Sequence, residues 1–204
     1  MTLARRALLL GAPALWLPSR ALAGAQVEEP LADAVRTALA ASVADAAPPK
    51  PRFDTVETRL AYLRWLGAAS EKLKRRKAEH HTRVEFLEAL WYESRRAGLE
   101  TSLVLGLVQV ESGFRKYAIS SAGARGYMQV MPFWARVIGD GDPRRLFHLQ
   151  TNLRFGCTIL RHYLQRERGD MFLALGRYNG SRGRAEYPNL VFGARRQWQV
   201  TPGT

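Results

Sequence analysis

The sequence predicts a mainly helical domain that extends from about residue 54 to residue 200. Two capping boxes, DTVE at 54–57 and TRVE at 82–85, each precede apolar residues that recur with the spacing of a helix. No alternating apolar and polar run bounded by hairpin signals stands out. A chain of 204 residues is long enough for one domain with a proper core and an additional segment.

Each predicted helix has its own signal in the sequence. The two capping boxes open the first two helices of the domain, and Gly98 is well placed to end the second one. The segment SLVLGLVQVES, residues 102–112, then forms a helix that is apolar on every side, which is typical of a buried helix. Further helices are expected after Pro132, from Asn152 as a cap through Leu164, near Met171 to Tyr178, and after Pro188.

The N-terminus has the three parts of a secretory signal peptide. Arg5 and Arg6 form a basic start, ALLLGAPALWL at 7–17 is a short apolar core, and ALA at 21–23 is a cleavage site. We therefore expect residues 1–23 to be removed after Ala23 and the protein to be periplasmic. The arginine pair is also compatible with twin-arginine export, although the ordinary route is favoured.

Composition divides the remaining chain into three parts. Residues 24–53 are rich in alanine and end in AAPPKPRF, so we expect a flexible linker with a short helix near 31–41. Residues 54–99 are expected to form a helical extension, and residues 100–200 a catalytic domain. No long apolar run in this part of the chain predicts a transmembrane helix.

The charge of the chain favours an anionic partner. The sequence has 31 basic and 18 acidic residues, and removal of residues 1–23 takes away three arginines and no acid, which leaves 28 against 18, a net charge of +10. Nucleic acid, lipid headgroups and the carboxylates of cell-wall peptide stems all fit such a surface. Cys157 is the single cysteine, so an internal disulfide is excluded, and its helical context indicates a packed thiol.

Glu111 is the strongest catalytic candidate because it ends the apolar helix. A buried carboxyl has a raised pKa and can carry a proton near neutral pH, which is the property of a general acid. The helix C-terminus disfavours its anion further. The alternative is that Glu111 points from the last turn into solvent. The four histidines lack the spacing of a zinc site, so no metal is expected.

Four sequence blocks carry a resemblance to a known family. ESGF at 111–114, SSAGARGYMQVMP at 120–132, NLRFG at 152–156 and RYNGS at 177–181 resemble the lysozyme-like lytic transglycosylases of the soluble-lytic-transglycosylase (SLT) type. They occur in the family's order and at its approximate spacing. The resemblance implies a helical fold like that of goose-type lysozyme, with a substrate cleft where the blocks meet.

The resemblance also implies a reaction. Such enzymes cleave the β-1,4 bond between N-acetylmuramic acid and N-acetylglucosamine in peptidoglycan and leave a 1,6-anhydro sugar end. Most glycosidases need two carboxylates, but here the sugar's own 6-hydroxyl is the nucleophile, so one carboxyl, Glu111, can first donate and then accept a proton. No cofactor is needed. We expect a monomer whose partner is the peptidoglycan strand, with peripheral contact to anionic envelope components and no nucleic acid.

The family's motifs assign six further residues to the cleft. Gln129 is expected to hydrogen-bond sugar, Met128 to line the cleft, and the Tyr178 hydroxyl to orient the acid; from residue type alone Met128 would be a core residue. The set implied as substrate-binding is Ser112, Ser120, Met128, Gln129, Tyr178 and Asn179. The alternative for both serines is an ordinary hydrogen bond to nearby backbone.

Two residues depart from the family pattern, and three other functions remain as alternatives. Tyr127 stands where the family usually has leucine, and Arg177 stands where it usually has alanine. A muramidase on the same fold would need a second carboxylate near Glu111, from Asp140, Asp142 or Asp170. A catalytically silent wall-binding module and a basic nucleic-acid binder are the alternatives from other classes.

Overall fold

The computed structural model describes residues 26–44 and 51–200. Within these ranges the secondary structure consists of eight α-helices and one short 3-10 helix, with two isolated bridges in place of a β-sheet. The mainly helical prediction is therefore confirmed. The helices are α1 (Asp33–Val43), α2 (Val56–Leu73), α3 (His80–Arg96), α4 (Thr101–Ser112), α5 (Pro132–Ile138), α6 (Leu149–Arg166), α7 (Met171–Asn179) and α8 (Glu186–Trp198), and the 3-10 helix is Pro143–Phe147.

The first two predicted helices exist, but other residues cap them. The cap of α2 is Thr55, whose side chain accepts a hydrogen bond from the Thr58 amide while Thr58 returns one to the cap backbone. The cap of α3 is Glu79, whose carboxylate accepts from the amides of His81 and Thr82. Each helix therefore starts one to three residues away from the predicted capping box, because neighbouring polar residues offer equivalent oxygens.

Later helices follow the sequence signals with two exceptions, at the starts of α6 and α8. Helix α8 begins at Glu186, two residues before Pro188, whereas the sequence predicts a start after that proline. Pro132 occupies the first turn of α5, and α7 spans the predicted residues and one more. The prediction that Asn152 caps α6 is wrong, because α6 begins at Leu149 and Asn152 lies inside it. Its side chain is buried and holds the loop before α5, as described below.

The segment between residues 26 and 44 contains the short helix expected near residues 31–41. Helix α1 packs on α5 and α6, and Leu39 joins the core cluster. These residues are thus packed against the domain, whereas the composition suggested a flexible linker. The signal peptide predicted over residues 1–23 lies outside the described residues, and the predicted domain boundaries stay predictions.

Helix α4 lies at the centre of the domain and determines where Glu111 is placed. Six consecutive residues of α4, from Leu103 to Val108, are buried, as its uniformly apolar sequence predicts. Helix α8 crosses α4 at Gly106, where an added Cβ would lie 2.6 Å from the backbone nitrogen of Arg195. Only a glycine permits this approach, so Gly106 sets the distance between the two helices.

None of the helices in the described ranges is long and apolar enough to cross a membrane. Cys157 is buried in α6, and its sulfur lies 4.0 Å from that of Met128. Burial raises the pKa of the Cys157 thiol well above its ordinary value. It is therefore an inert packed thiol, as predicted.

Candidate active site

Glu111 lies in the last turn of α4 and is buried, with 5% of its surface exposed. The helix ends at once, because Gly113 adopts a left-handed conformation with φ of 57°. The alternative position, with the side chain in solvent, is therefore wrong. The apolar helix carries this carboxyl into the protein interior.

The two carboxyl oxygens of Glu111 have different surroundings. Oε1 accepts a hydrogen bond from the hydroxyl of Tyr187, whereas Oε2 is buried and has no hydrogen-bond partner among the described residues. Burial raises the pKa of Glu111 to about 8, although the hydrogen bond from Tyr187 acts in the opposite direction. The carboxyl is therefore mostly protonated at neutral pH. Since Oε1 already accepts a hydrogen bond from Tyr187, Oε2 is the oxygen left to carry a proton.

Tyr187 is the functional residue that sequence reasoning missed. It lies in the first turn of α8, directly before Pro188, and is 76 positions from Glu111 in the chain. The last of the four family blocks ends at residue 181, so none of them includes Tyr187. The local signal is a tyrosine in the first turn of a helix, which by itself does not indicate contact with α4. That contact exists because α8 crosses α4 closely at Gly106.

Tyr178 does not have the expected role. Its hydroxyl is fully buried and donates a hydrogen bond to the carbonyl of Met128 at 2.8 Å. The orienting hydroxyl predicted at Tyr178 is supplied by Tyr187 instead. Tyr178 is still near the acid, because the charge of Glu111 is one cause that raises the pKa of the Tyr178 hydroxyl, after burial. It fixes the Met128 backbone beside the acid.

The loop between α4 and α5 folds back on the end of α4. Arg125 and Val130 exchange backbone hydrogen bonds at 2.9 and 3.0 Å around a tight turn. The hydroxyl of Ser112 is buried and donates to the carbonyl of Tyr127 at 2.7 Å, so Ser112 joins the acid's helix to this loop. Ser112 thus makes the backbone hydrogen bond of its alternative interpretation, and its contact with substrate stays a prediction.

Ser120 lies at the outer part of the same loop. Its side chain is half-buried and accepts a hydrogen bond from the amide of Ala124 at 3.1 Å. This is the turn geometry that short hydroxyl side chains commonly stabilise. The partial exposure leaves the hydroxyl accessible, so contact between Ser120 and substrate stays a prediction.

The pair Met128 and Gln129 is more buried than the resemblance implies. Met128 is fully buried, which agrees with its alternative interpretation as a core residue, and it therefore cannot line an open cleft by its side chain. The side-chain amide of Gln129 donates to the carbonyls of Gly126 and Ala118 at 2.9 and 3.1 Å. Gln129 thus holds the loop, and its backbone φ of 49° keeps the turn tight.

The NLRFG block explains why this loop has a fixed shape. The Asn152 side chain accepts from the Met128 amide at 2.8 Å and donates to the carbonyls of Arg125 and Leu146 at 2.9 and 2.7 Å. An added Cβ on Gly156 would lie 2.3 Å from the Met128 sulfur, so this glycine makes room for that side chain. Neither residue was assigned a site role from the sequence, although both lie in a quoted block.

Asn179 ends α7 next to Tyr178 and has an unused acceptor. Its side-chain nitrogen donates to the Ser181 hydroxyl at 3.1 Å, while its Oδ1 is buried without a partner among the described residues. A buried acceptor without a partner costs free energy unless a ligand or water satisfies it. Asn179 therefore fits its predicted contact with substrate better than Ser112, Met128 or Gln129 does.

A cluster of charged side chains lies where α6 and α7 end. Glu167 accepts hydrogen bonds from Arg177 at 2.7 Å and from Arg182 at 2.8 and 2.9 Å, and these guanidinium groups lower the pKa of Glu167 to about 2. Arg177 also pairs with Glu29 at 2.8 Å, and Arg166 pairs with the other oxygen of Glu29. Arg177, a departure from the family pattern, is thus part of an ion-pair network.

The geometry defines a class of protein before any relative is considered. A helical domain that buries the carboxyl of Glu111 at a helix end, beside a loop tied down by neighbouring helices, agrees with the lysozyme-like helical class. The family model for the transglycosylase SLT domain matches residues 89–199, which is more than half of the chain. The chain belongs to this family, and the lysozyme-like helical class expected from the sequence is confirmed.

Curated relatives match part of this region. The chain is similar to the membrane-bound lytic murein transglycosylase C of Mannheimia succiniciproducens, with 49% identity over 84 residues, 37% of this chain and 24% of the relative. It is also similar to the protein of the same name from Actinobacillus pleuropneumoniae serotype 5b, with 41% identity over 84 residues, 37% of this chain and 23% of the relative. The chain thus spans about a quarter of the length of these relatives.

A solved structure also matches. It is the X-ray structure of an inactive variant of the lytic transglycosylase Slt from Pseudomonas aeruginosa, with 24% sequence identity and a TM-score of 0.44. The match covers 69% of this chain and 27% of that one.

Proposed function

We propose that the protein is a peptidoglycan lytic transglycosylase and that Glu111 is its only acid and base. The observation that carries the proposal is the buried carboxyl of Glu111, one oxygen of which accepts a hydrogen bond from Tyr187; burial raises its pKa to about 8. The family membership and the names of the curated relatives support the substrate class. The reaction is non-hydrolytic cleavage of the β-1,4 bond between N-acetylmuramic acid and N-acetylglucosamine.

In the first step Glu111 acts as the general acid. The proton on Oε2 passes to the glycosidic oxygen, the bond to the muramic acid carbon breaks, and the substrate's acetamido oxygen shares the positive charge at that carbon. Glu111 is then a carboxylate in a dry site. The hydrogen bond from Tyr187 stabilises this anion on Oε1, so its strength rises where the charge develops.

In the second step the same carboxylate acts as the base. It takes the proton from the 6-hydroxyl of the muramic acid, and that oxygen attacks the sugar carbon to close the 1,6-anhydro ring. Glu111 returns to its protonated state, so the cycle is balanced without water. We assign the positioning of the sugar to the loop at Met128, whose carbonyl accepts from Tyr178, and to the unpartnered acceptor of Asn179.

The geometry favours this reaction over that of a muramidase, which needs a second carboxylate. The three aspartates considered for that role are engaged elsewhere. Asp140 pairs with Arg145, Asp142 pairs with Arg144, and Asp170 caps α7 by accepting from the Leu173 amide. Burial and Tyr187 are the causes of the pKa shift of Glu111, and a second carboxylate is not among them.

Product analysis on purified peptidoglycan sacculi tests the proposal. We expect soluble fragments with 1,6-anhydro ends by mass spectrometry, and we expect Glu111→Gln to abolish them while the folded protein still binds sacculi. Reducing ends would instead identify a muramidase. Intact cleavage by Glu111→Gln would refute the assignment of the acid.

We further propose that the protein acts in the periplasm after export, at the peptidoglycan layer. The signal-like sequence of residues 1–23 supports this location, and the curated relatives are named membrane-bound lytic murein transglycosylase C. Fractionation of cells that express the full chain tests it. Recovery of the processed protein in the periplasmic fraction is the expected result, and retention of unprocessed protein in the cytoplasm would contradict it.

A further inference from the structure

The N-terminal segment that precedes α1 lies against α7 and against the loop between α4 and α5, which we call the active-site loop. Gln26 has 4% of its surface exposed, although it is far from the loop in the chain. Its side-chain amide donates to the Gln129 carbonyl at 3.3 Å and accepts from the Met131 amide at 3.2 Å. The same side chain interacts with the Tyr178 hydroxyl. The segment is therefore anchored directly beside the groups that surround Glu111.

Three residues further along, a carboxylate is clamped between two arginines. One oxygen of Glu29 bonds Arg177 at 2.8 Å, and the other bonds Arg166. Arg177 is held in place by its second partner, Glu167. Arg177 is therefore fixed on one side of Glu29. On the other side, 42% of the Arg166 side chain is accessible. Two guanidinium groups that converge on one carboxylate form a typical recognition site for that group.

The local charge balance depends on Glu29. The network contains three guanidinium groups, from Arg166, Arg177 and Arg182, against two carboxylates, from Glu29 and Glu167. When Glu29 leaves, Arg166 and Arg177 face one another with a single remaining carboxylate, Glu167, which Arg182 also shares. Arg166 and one side of the Arg177 guanidinium are then open to another anion, and a substrate that brings a carboxylate could bind there.

We propose that Arg166 and Arg177 form a carboxylate subsite for the peptide stems of peptidoglycan, and that Glu29 occupies this subsite until a stem displaces it. The inference rests on the proposed function, because peptidoglycan is the substrate it considers. Neither of its two components belongs to the family's quoted motifs. Arg177 departs from the family's usual alanine, and Glu29 lies outside the residues that the family model matches. The subsite therefore adds discrimination between glycan strands with and without stems.

The inference is tested by measuring the affinity of the protein for soluble glycan strands under conditions in which the strands are not cleaved. The measurements use isothermal titration and the full chain with Glu111→Gln, and they compare strands that bear peptide stems with strands from which an amidase has removed them. Glu29→Ala is expected to tighten binding of stem-bearing strands about threefold to tenfold, the usual effect of one partly exposed charge pair. Asp33→Ala, which removes an exposed ion pair on α1, is the matched control and should change neither affinity.

The role of Arg166 is tested in the Glu29→Ala background, where Glu29 no longer competes for it. Adding Arg166→Ala should weaken the binding of stem-bearing strands about threefold to tenfold and leave stem-free strands within about twofold. The inference is overturned if Glu29→Ala does not tighten binding, or if Arg166→Ala weakens both kinds of strand equally.

Failure of the subsite and failure of the proposed function give different results. The titrations report the subsite whether or not the protein cleaves peptidoglycan. Product analysis with the unmodified Glu111 reports the reaction whether or not stems are preferred. Preference for stem-bearing strands without anhydro products would support the subsite and contradict the proposed reaction. Equal binding of both kinds of strand with anhydro products would support the reaction and contradict the subsite.

Discussion

The hydroxyl of Tyr187 donates a hydrogen bond to Oε1 of Glu111, and both side chains are buried. This contact makes the two carboxyl oxygens of Glu111 different. Oε1 accepts a hydrogen bond, and Oε2 has no partner among the described residues. The contact also opposes the effect of burial on the pKa of Glu111, which lies at about 8. Tyr187 therefore balances two requirements of the proposed reaction: the carboxyl must be protonated at the start and must tolerate a charge after the first step.

Replacing Tyr187 tests this balance. Tyr187→Phe removes a hydrogen bond that lowers the pKa of Glu111, so that pKa should rise. The rate of cleavage depends on protonated Glu111 and falls as the pH rises through its pKa, so the descending limb of the pH profile of kcat/KM should move to higher pH. The rate itself should fall about tenfold, because the carboxylate loses its donor in the first step.

Tyr178→Phe is the matched control for that experiment. It also removes one buried tyrosine hydroxyl, but this hydroxyl donates to the Met128 carbonyl and is not a cause of the pKa shift of Glu111. The control should slow cleavage without moving the descending limb. If both variants move the limb equally, or if neither does, the assigned role of Tyr187 is wrong.

The raised pKa of Glu111 also predicts how stability depends on pH. In the unfolded chain a glutamate has a pKa of about 4.3, whereas in the folded protein Glu111 has one of about 8. Between these values folding must take up a proton, so the free energy of unfolding falls as the pH rises, at up to about 1.4 kcal/mol per pH unit. The stabilisation is complete below the unfolded pKa and is lost by the time the pH passes about 8.

Glu111→Gln removes this dependence, because glutamine does not titrate and can still accept from Tyr187. Relative to the natural protein, the variant should gain about 2 kcal/mol of stability between pH 5 and pH 7. Urea denaturation of both proteins at several pH values measures the difference. A difference that stays constant over this range would mean that Glu111 is ionised in the folded state.

The sequence was sufficient to predict most of the helices and the burial of Glu111. Glu111 could be found because the helix before it is apolar on every side, which dictates burial irrespective of the rest of the fold. The positions of Gly98 and Pro132 likewise mark helix boundaries through backbone geometry alone. Local physical rules act over a few residues, so these predictions did not require the tertiary structure.

The partners of the polar side chains could not be predicted in the same way. Ser112 and Gln129 lie in the expected blocks, but their hydrogen-bonding groups bind the backbone of the loop. Tyr178 and Tyr187 are both buried tyrosines, and only the crossing of α8 over α4 decides which one reaches the acid. Residue type states what a side chain can bond to, and packing between distant segments decides which bond it makes.

Gly106 is expected to be essential for the position of Tyr187. An added Cβ would lie 2.6 Å from the Arg195 nitrogen and 3.0 Å from the Val191 carbonyl oxygen, so Gly106→Ala must push α8 away from α4. We expect a loss of about 1 to 3 kcal/mol in the free energy of unfolding and a fall in cleavage rate, because the backbone cannot adjust cheaply. Chemical denaturation and product release from sacculi measure the two effects.

Gly67→Ala provides the comparison for Gly106→Ala. Gly67 also lies inside a helix, α2, but an added Cβ there would meet nothing within 4 Å. This substitution should stabilise the protein by about 0.5 to 1 kcal/mol through helix propensity and leave cleavage unchanged. Equal effects at the two glycines would show that the approach of α8 to α4 does not limit the site.

Asn152 should be essential for the shape of the active-site loop, because one side chain satisfies the Met128 amide and the carbonyls of Arg125 and Leu146. Asn152→Ala leaves these buried backbone groups without partners, which should lower the free energy of unfolding by about 1 to 3 kcal/mol. Cleavage should fall further than stability explains, since the Met128 carbonyl is the group that Tyr178 holds beside the acid. Hydrogen exchange should show faster exchange of the Met128 amide, and Asn189→Ala, an exposed position on α8, should show none of these effects. A protected Met128 amide in Asn152→Ala would mean that the loop keeps its shape without this side chain.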